Sequence, residues 1–161
     1  MKNRWFLFSL ISACGLLVDQ VTKLYIDRSM TLYQSIPVID GFFNIFYIRN
    51  KGAAFSFLSN ASWRLPFFIA VSVVASLVII VALNKLREDQ KLAQVSLSMI
   101  FSGAVGNLID RVRLGEVIDF LDVYWRTHHW PAFNVADSLI CVGVALLALD
   151  MFREERRIKT M

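Results

Sequence analysis

The chain has 161 residues, 57% of them hydrophobic, and a mean hydropathy of +0.54. Soluble domains are usually ~45–50% apolar, so the excess excludes an ordinary water-soluble globule and points to a membrane bundle forming one domain. The net charge of +4 is small, and the basic residues gather at the ends of apolar stretches. That pattern is headgroup anchoring and not a nucleic-acid surface.

Residues 5–18, WFLFSLISACGLLV, carry no charge and follow Lys2 and Arg4. A cleaved signal peptide is one reading, and the ISAC of Ile11–Cys14 has the form found before the modified cysteine of bacterial lipoproteins. The apolar run continues past that cysteine, so we expect an uncleaved first span over about residues 4–26. Asp19 and Lys23 near its far end are spaced i,i+4 and share a helix face. Cys14 and Cys141 lie far apart inside apolar runs, which predicts buried membrane cysteines and not a disulfide.

Residues 30–61 change character. Pro37, Asp40-Gly41 and then FFNIFYI predict a turn and an aromatic, β-branched strand, with a second turn at Asn50-Lys51-Gly52. Because an isolated hairpin is marginal, a small twisted sheet resting on the membrane surface is expected, with Phe42, Phe43, Phe46 and Phe55 among headgroups. Further spans are expected at about 63–84, 92–111 and 135–152. In the third, Ser98, Ser102, Gly103 and Gly106 allow close helix contact. Between the third and fourth lies a polar and aromatic connection ending at Pro131, and the terminal REERRIK is expected to be solvated.

Basic-residue density predicts orientation. With the N-terminus cytoplasmic, nine Lys and Arg fall in three short inner segments and the other eight spread over two long outer loops. Both termini are then inside, and Asp119 and Asp137 lie at the outer face.

Carboxylates at membrane depth are expensive and mark function by default. Asp110, Asp119, Asp122 and Asp137 all fall between Gly103 and Asp137. Asp119 in VIDF and Asp137 in FNVAD are the candidate catalytic pair. Two carboxylates held close share one proton, so one serves as base on a water while the other donates to the scissile carbonyl. The fourth helix should favour charge on Asp137 through its N-terminus, leaving Asp119 more of the proton. There is no HExxH and no GxSxG, and adjacent His128 and His129 are poorly placed to share a metal, so neither metal nor cofactor is expected. Structural roles compete at several positions. Asn134 and Asp137 fit a helix capping box, Asp110-Arg111 an interfacial ion pair, and Asp122 a solvated residue. Asp150 fits an inner-interface charge.

These motifs, VDQVTK around Asp19, RNKGAAF at Arg49–Phe55, GAVGNLIDR at Gly103–Arg111, GEVIDF at Gly115–Phe120 and FNVAD at Phe133–Asp137, resemble those of the signal peptidase II family over essentially the whole chain. Ser102 departs from the glycine often found there, and Tyr124–Trp130 follows no recognisable pattern. The resemblance implies an all-α integral membrane protein of four transmembrane helices with a small periplasmic β-cradle, forming a single peptidase domain in the bacterial cytoplasmic membrane. It implies an aspartic endopeptidase that cuts prolipoproteins just before a diacylglyceryl-modified cysteine. Asp119 and Asp137 would be catalytic; Asn50, Gly52, Asn107, Arg111 and Asn134 would bind substrate or globomycin-type inhibitors; Asp19, Lys23 and Asp110 would give support. The implied partners are lipidated prolipoproteins and membrane lipids, with the chain acting as a monomer.

Two other classes fit the composition: a small transporter using its carboxylates to relay protons or bind a cation, and a non-catalytic assembly factor. No inverted repeat is visible, and the polar residues cluster at one face and not along a midplane path. The aromatic segments Thr31–Leu58 and Leu114–Pro131 are expected to form a cover that opens for substrate and excludes water.

Overall fold

A computed structural model describes residues 2–52 and 61–159. Four long helices and a small sheet make up the chain: α1 (Lys2–Ser29), β1 (Ser35–Ile39), β2 (Phe43–Asn50), α2 (Arg64–Lys85), α3 (Lys91–Leu114), β3 (Val117–Trp125), β4 (His128–His129) and α4 (Val135–Lys159). All four helices contain stretches long and apolar enough to cross a membrane. At about 1.5 Å per residue even α2, with 22 residues, reaches roughly the ~30 Å of a hydrocarbon core.

Of the four spans, α3 is the one most covered by the rest of the protein. Of its most apolar window 56% is buried, against 17% for α1, 17% for α2 and 11% for α4, so α3 is the central post. Small residues set its closeness to the neighbours. A Cβ on Gly103 would overlap the carbonyl oxygen of Ala136 on α4, and one on Gly106 would overlap the Asp19 carboxylate on α1. Buried serines bond back along the helix, Ser96 Oγ to Leu92 O at 2.7 Å and Ser98 Oγ to Gln94 O at 2.6 Å. Ser102 Oγ is a buried hydroxyl with no partner among the described residues.

At the end holding the N-terminus, Phe8, Ile79, Leu83 and Leu97 form an apolar core. There Arg4 donates to Asn84 O at 3.0 Å and pairs with Glu88 at 2.9 Å, fastening α1 to the α2–α3 connection. At the other end Ile26 and Met30 of α1 pack with Tyr47, Ile118 and Phe120 beneath the sheet. Arg49 pairs with Asp27 at 2.8 Å and donates to the Tyr47 hydroxyl at 2.9 Å, and that hydroxyl bonds Asp27. This triad ties β2 to the end of α1.

The sheet is antiparallel in the order β1-β2-β3-β4. Its first hairpin turns at Gly41, in the left-handed region at φ 77°. Gly115, at φ 74°, ends α3 by donating to Arg111 O at 3.0 Å and turns the chain into β3. Two of the sheet's strands come from the connection after α3, where a polar, aromatic linker is expected from sequence. The β-branched and aromatic residues of VIDFLDVYW favour a strand, while Asp119 and Asp122, three apart, obscure the alternation. The expected two-part cover is likewise one sheet. Ile48 pairs with Asp119 and Asn50 with Val117, so β2 and β3 could part only by breaking their ladder.

Three other expectations change. Cys14 and Cys141 are free, as expected, but exposed on the helix surfaces and not buried. The fourth helix runs on to Lys159 through the stretch read as a tail. Phe42 is 48% exposed, whereas Phe43 and Phe46 are half-buried, and Phe55 lies outside the described residues.

Candidate active site

The site forms where the C-terminal halves of α1 and α3, the N-terminus of α4 and the β2–β3 ladder meet. Asn134 stands at the entry to α4 in a capping box: Asp137 N donates to Asn134 Oδ1 at 2.9 Å, and Asn134 N donates to Asp137 Oδ2 at 3.2 Å. The same Asn134 extends its amide nitrogen to Asp119 Oδ1 at 2.7 Å. A single asparagine therefore ties the two carboxylates together. Asn50 Nδ2 donates to the other Asp119 oxygen at 3.0 Å, and Asn107 Nδ2 donates to Asp137 Oδ1 at 2.7 Å. Each oxygen of the pair thus accepts a bond from a neutral amide.

Beneath this layer lies a charged one. Lys23 Nζ is 3.0 Å from Asp19 and 2.9 Å from Asp110, and it donates to Asn107 Oδ1 at 2.9 Å. The last bond turns the Asn107 amide so that its nitrogen faces Asp137. Asp19 Oδ1 accepts from Ala136 N at 2.9 Å at the start of α4, and Asp110 Oδ2 accepts from Ile118 N at 3.2 Å at the start of β3. Gln20, which sequence reading passed over, bonds both carboxylates, at 3.0 and 3.2 Å. The i,i+4 pairing of Asp19 with Lys23 is present. Asp110, however, pairs with Lys23 and not with Arg111. Arg111 turns the other way, 4.8 Å over the Phe68 ring, with Nη2 donating to Gly52 O at 3.3 Å.

Asn50, Gly52, Asn107, Arg111, Asp119 and Asp137 all line one open cleft of about 470 Å³. Asn134 is fully buried behind it, and Asp19, Lys23 and Asp110 stay in the layer below. Its other walls are Val117, Trp130–Phe133 and the α4 residues Ser138, Ile140 and Cys141, none of which the sequence assigned to the site. Ile140 and Cys141 follow Asp137 at i+3 and i+4, a usable signal; the Trp130–Phe133 segment offers none. Asp119 is 2% exposed. Burial pushes its carboxyl up to about 7 and the adjacent Asp137 adds to the rise, against the bonds from Asn50 and Asn134. Asp122 is buried and not solvated. It accepts from Asn44 Nδ2 at 2.9 Å and from His129 Nδ1 at 2.8 Å.

The profile described as Signal peptidase (SPase) II matches residues 11–153. The chain belongs to the signal peptidase II family. It is 70% identical to the lipoprotein signal peptidase of Geobacter metallireducens over 98% of this chain and 97% of that protein. It is 69% identical to the one of Geobacter sulfurreducens, over 98% of each. A solved bacterial membrane enzyme superposes with a TM-score of 0.83 at 34% identity, covering 92% of this chain and 88% of its own. A second gives 0.81 at 33%, covering 89% and 91%. As a member of the signal peptidase II family the protein is a membrane-spanning protease, and the transporter reading finds no support.

Proposed function

We propose that this protein is a lipoprotein signal peptidase of the aspartic type, with Asp119 and Asp137 as its catalytic pair. The observation that carries the proposal is Asn134, which holds both carboxylates at the wall of one cleft by neutral hydrogen bonds. The substrate is a prolipoprotein whose next residue after the scissile bond is a diacylglyceryl cysteine. Such a substrate is anchored in the bilayer, and its cleavage site is presented near headgroup depth, beside the sheet.

Asp137 takes a proton from a water, which attacks the scissile carbonyl, while Asp119 gives its proton to the carbonyl oxygen. The tetrahedral diol collapses as the Asp137 proton passes to the leaving nitrogen and Asp119 regains one from a diol hydroxyl. The C–N bond breaks, and no covalent enzyme intermediate forms. Asn50, Gly52, Asn107 and Arg111 line the cleft and position the peptide or a globomycin-type inhibitor, while Asn134 aligns the pair from behind. Lys23, Asp19 and Asp110 support them.

The whole chain acts as a single membrane-embedded domain and as a monomer. It lies in the cytoplasmic membrane of a bacterium with both termini inside and the cleft at the outer face. Protease accessibility in sealed vesicles tests the topology: Glu88 and His128 should be cut from opposite sides. Cleavage of a purified lipidated prolipoprotein tests the activity. Release of intact signal peptide is expected, and no release from a folded preparation overturns the reading.

A further inference from the structure

A second open cleft, of about 510 Å³, lies beside the first. It is lined by Ser35, Asn44, Phe46, Ile48, Asp122 and His129, and it shares the Trp130–Ala132 segment with the catalytic cleft. That shared rim is anchored to β3: Trp130 N donates to Val123 O at 2.8 Å, and Phe133 N to Leu121 O at 3.1 Å. At the bottom sits a polar group that the catalytic reading does not use. Asp122 is buried, and its carboxylate accepts from Asn44 and from His129. A carboxylate only accepts, so His129 Nδ1 carries the hydrogen and Nε2 is left for another partner. The His129 ring is stacked on Tyr124, with centroids 4.8 Å apart and planes at 9°, which fixes its direction.

We propose that this second cleft is a subsite for the polypeptide on the C-terminal side of the scissile bond. It selects a side chain that donates a hydrogen bond (hydroxyl, amide or ammonium) and rejects a carboxylate. The inference rests on the proposed placement of the scissile bond between Asp119 and Asp137. Its physical basis is position and charge. The apolar part of the substrate occupies the bilayer, so the chain beyond the cut leaves on the side of the sheet, where irregular backbone and sheet edges are tolerated. Asp119 and Asp122 are three residues apart on β3, about 10 Å along the strand. An extended substrate crosses the same distance in about three residues. Asp122, with lone pairs beyond those its two partners occupy, accepts from a donor side chain and repels an acid.

The test uses the full-length protein in detergent micelles and synthetic diacylglyceryl-cysteine substrates. Each carries Ser, Lys or Asp in turn at one of the second to fifth residues after the scissile bond. At one of these positions Asp should lower kcat/KM at least about tenfold relative to Ser or Lys, because a buried like charge is strongly disfavoured. In Asp122→Asn that ratio should shrink towards one. A flat profile in the unaltered protein overturns the subsite, as does an unchanged ratio in Asp122→Asn. His129, 52% exposed in its side chain, supplies a second variant less coupled to folding. His129→Gln should raise KM for the Ser substrate with kcat retained, and a fall in kcat at constant KM overturns the assignment. The two readings fail separately. Robust cleavage by Asp119→Asn would remove the catalytic pair, whereas a flat profile in an enzyme that Asp119→Asn inactivates removes only the subsite.

Discussion

Two pairs of carboxylates lie one layer apart at the same end of the bundle, all buried but the half-buried Asp137, and they are treated differently. Asp19 and Asp110 share Lys23, a glutamine and two backbone amides, one at the start of α4 and one at the start of β3. Asp119 and Asp137 have asparagine amides and one backbone N–H, with no ion pair among the described residues. The first pair shares one lysine in direct ion pairs and joins elements; the second is hydrogen-bonded, makes no direct ion pair among the described residues and opens on a cleft. A buried acid with a cation beside it is glue. One without is free to hold and release a proton.

The largest effect that could break this contrast is on turnover. Asp119→Asn or Asp137→Asn should each lower kcat at least about a thousandfold, and the double variant should be little worse, because paired groups act as a unit. Asp150→Asn, away from the cleft, should keep most activity. Cleavage assays on folded, purified variants read the outcome, and near-normal turnover in either single variant would falsify the pair.

Stability should respond in the opposite sense. Lys23→Met strands two buried carboxylates and should destabilise the fold by about 3–5 kcal/mol, whereas Asp119→Asn should leave it little changed. Unfolding in denaturing detergent compares the two. Equal losses would erase the distinction between the layers.

The pH dependence sharpens it further. In the proposed mechanism turnover needs a proton on the pair, so kcat/KM should fall above about pH 7, where Asp119 loses its own. Asp119 holds its proton to about 7 when folded, against an ordinary value of 3.8. The folded chain thus binds a proton that the unfolded chain has released. This contribution to stability is full at and below about pH 4 and is lost as pH rises to about 7. In Asp119→Asn that slope should vanish, and unfolding at several pH values measures it.

The smallest effect concerns Ser102, buried against Gly15 without a partner among the described residues. Ser102→Ala removes an unsatisfied hydroxyl and should raise stability by about 1 kcal/mol with activity retained. A clear loss of stability would mean the hydroxyl is bonded after all.

The amino-acid sequence by itself determined the spans, because length and hydropathy are local properties and a bilayer demands them of any helix. It also determined the capping box at Asn134 and the i,i+4 pair of Asp19 and Lys23, since both are set by helical spacing. The motifs carried the family, and with it the candidate residues. What only the tertiary structure decided lies across elements. The strand character of VIDFLDVYW emerges when β2 supplies its partner, because a strand's hydrogen bonds are made elsewhere in the chain. The partner of Asp110 is Lys23, 87 positions away, and not the adjacent Arg111, whose side chain follows the helix face toward Phe68. Asp122 reads as solvated until Asn44 and His129 close over it. Burial and charge pairing are properties of neighbours in space, and for these residues the deciding neighbours are remote or lie across a turn.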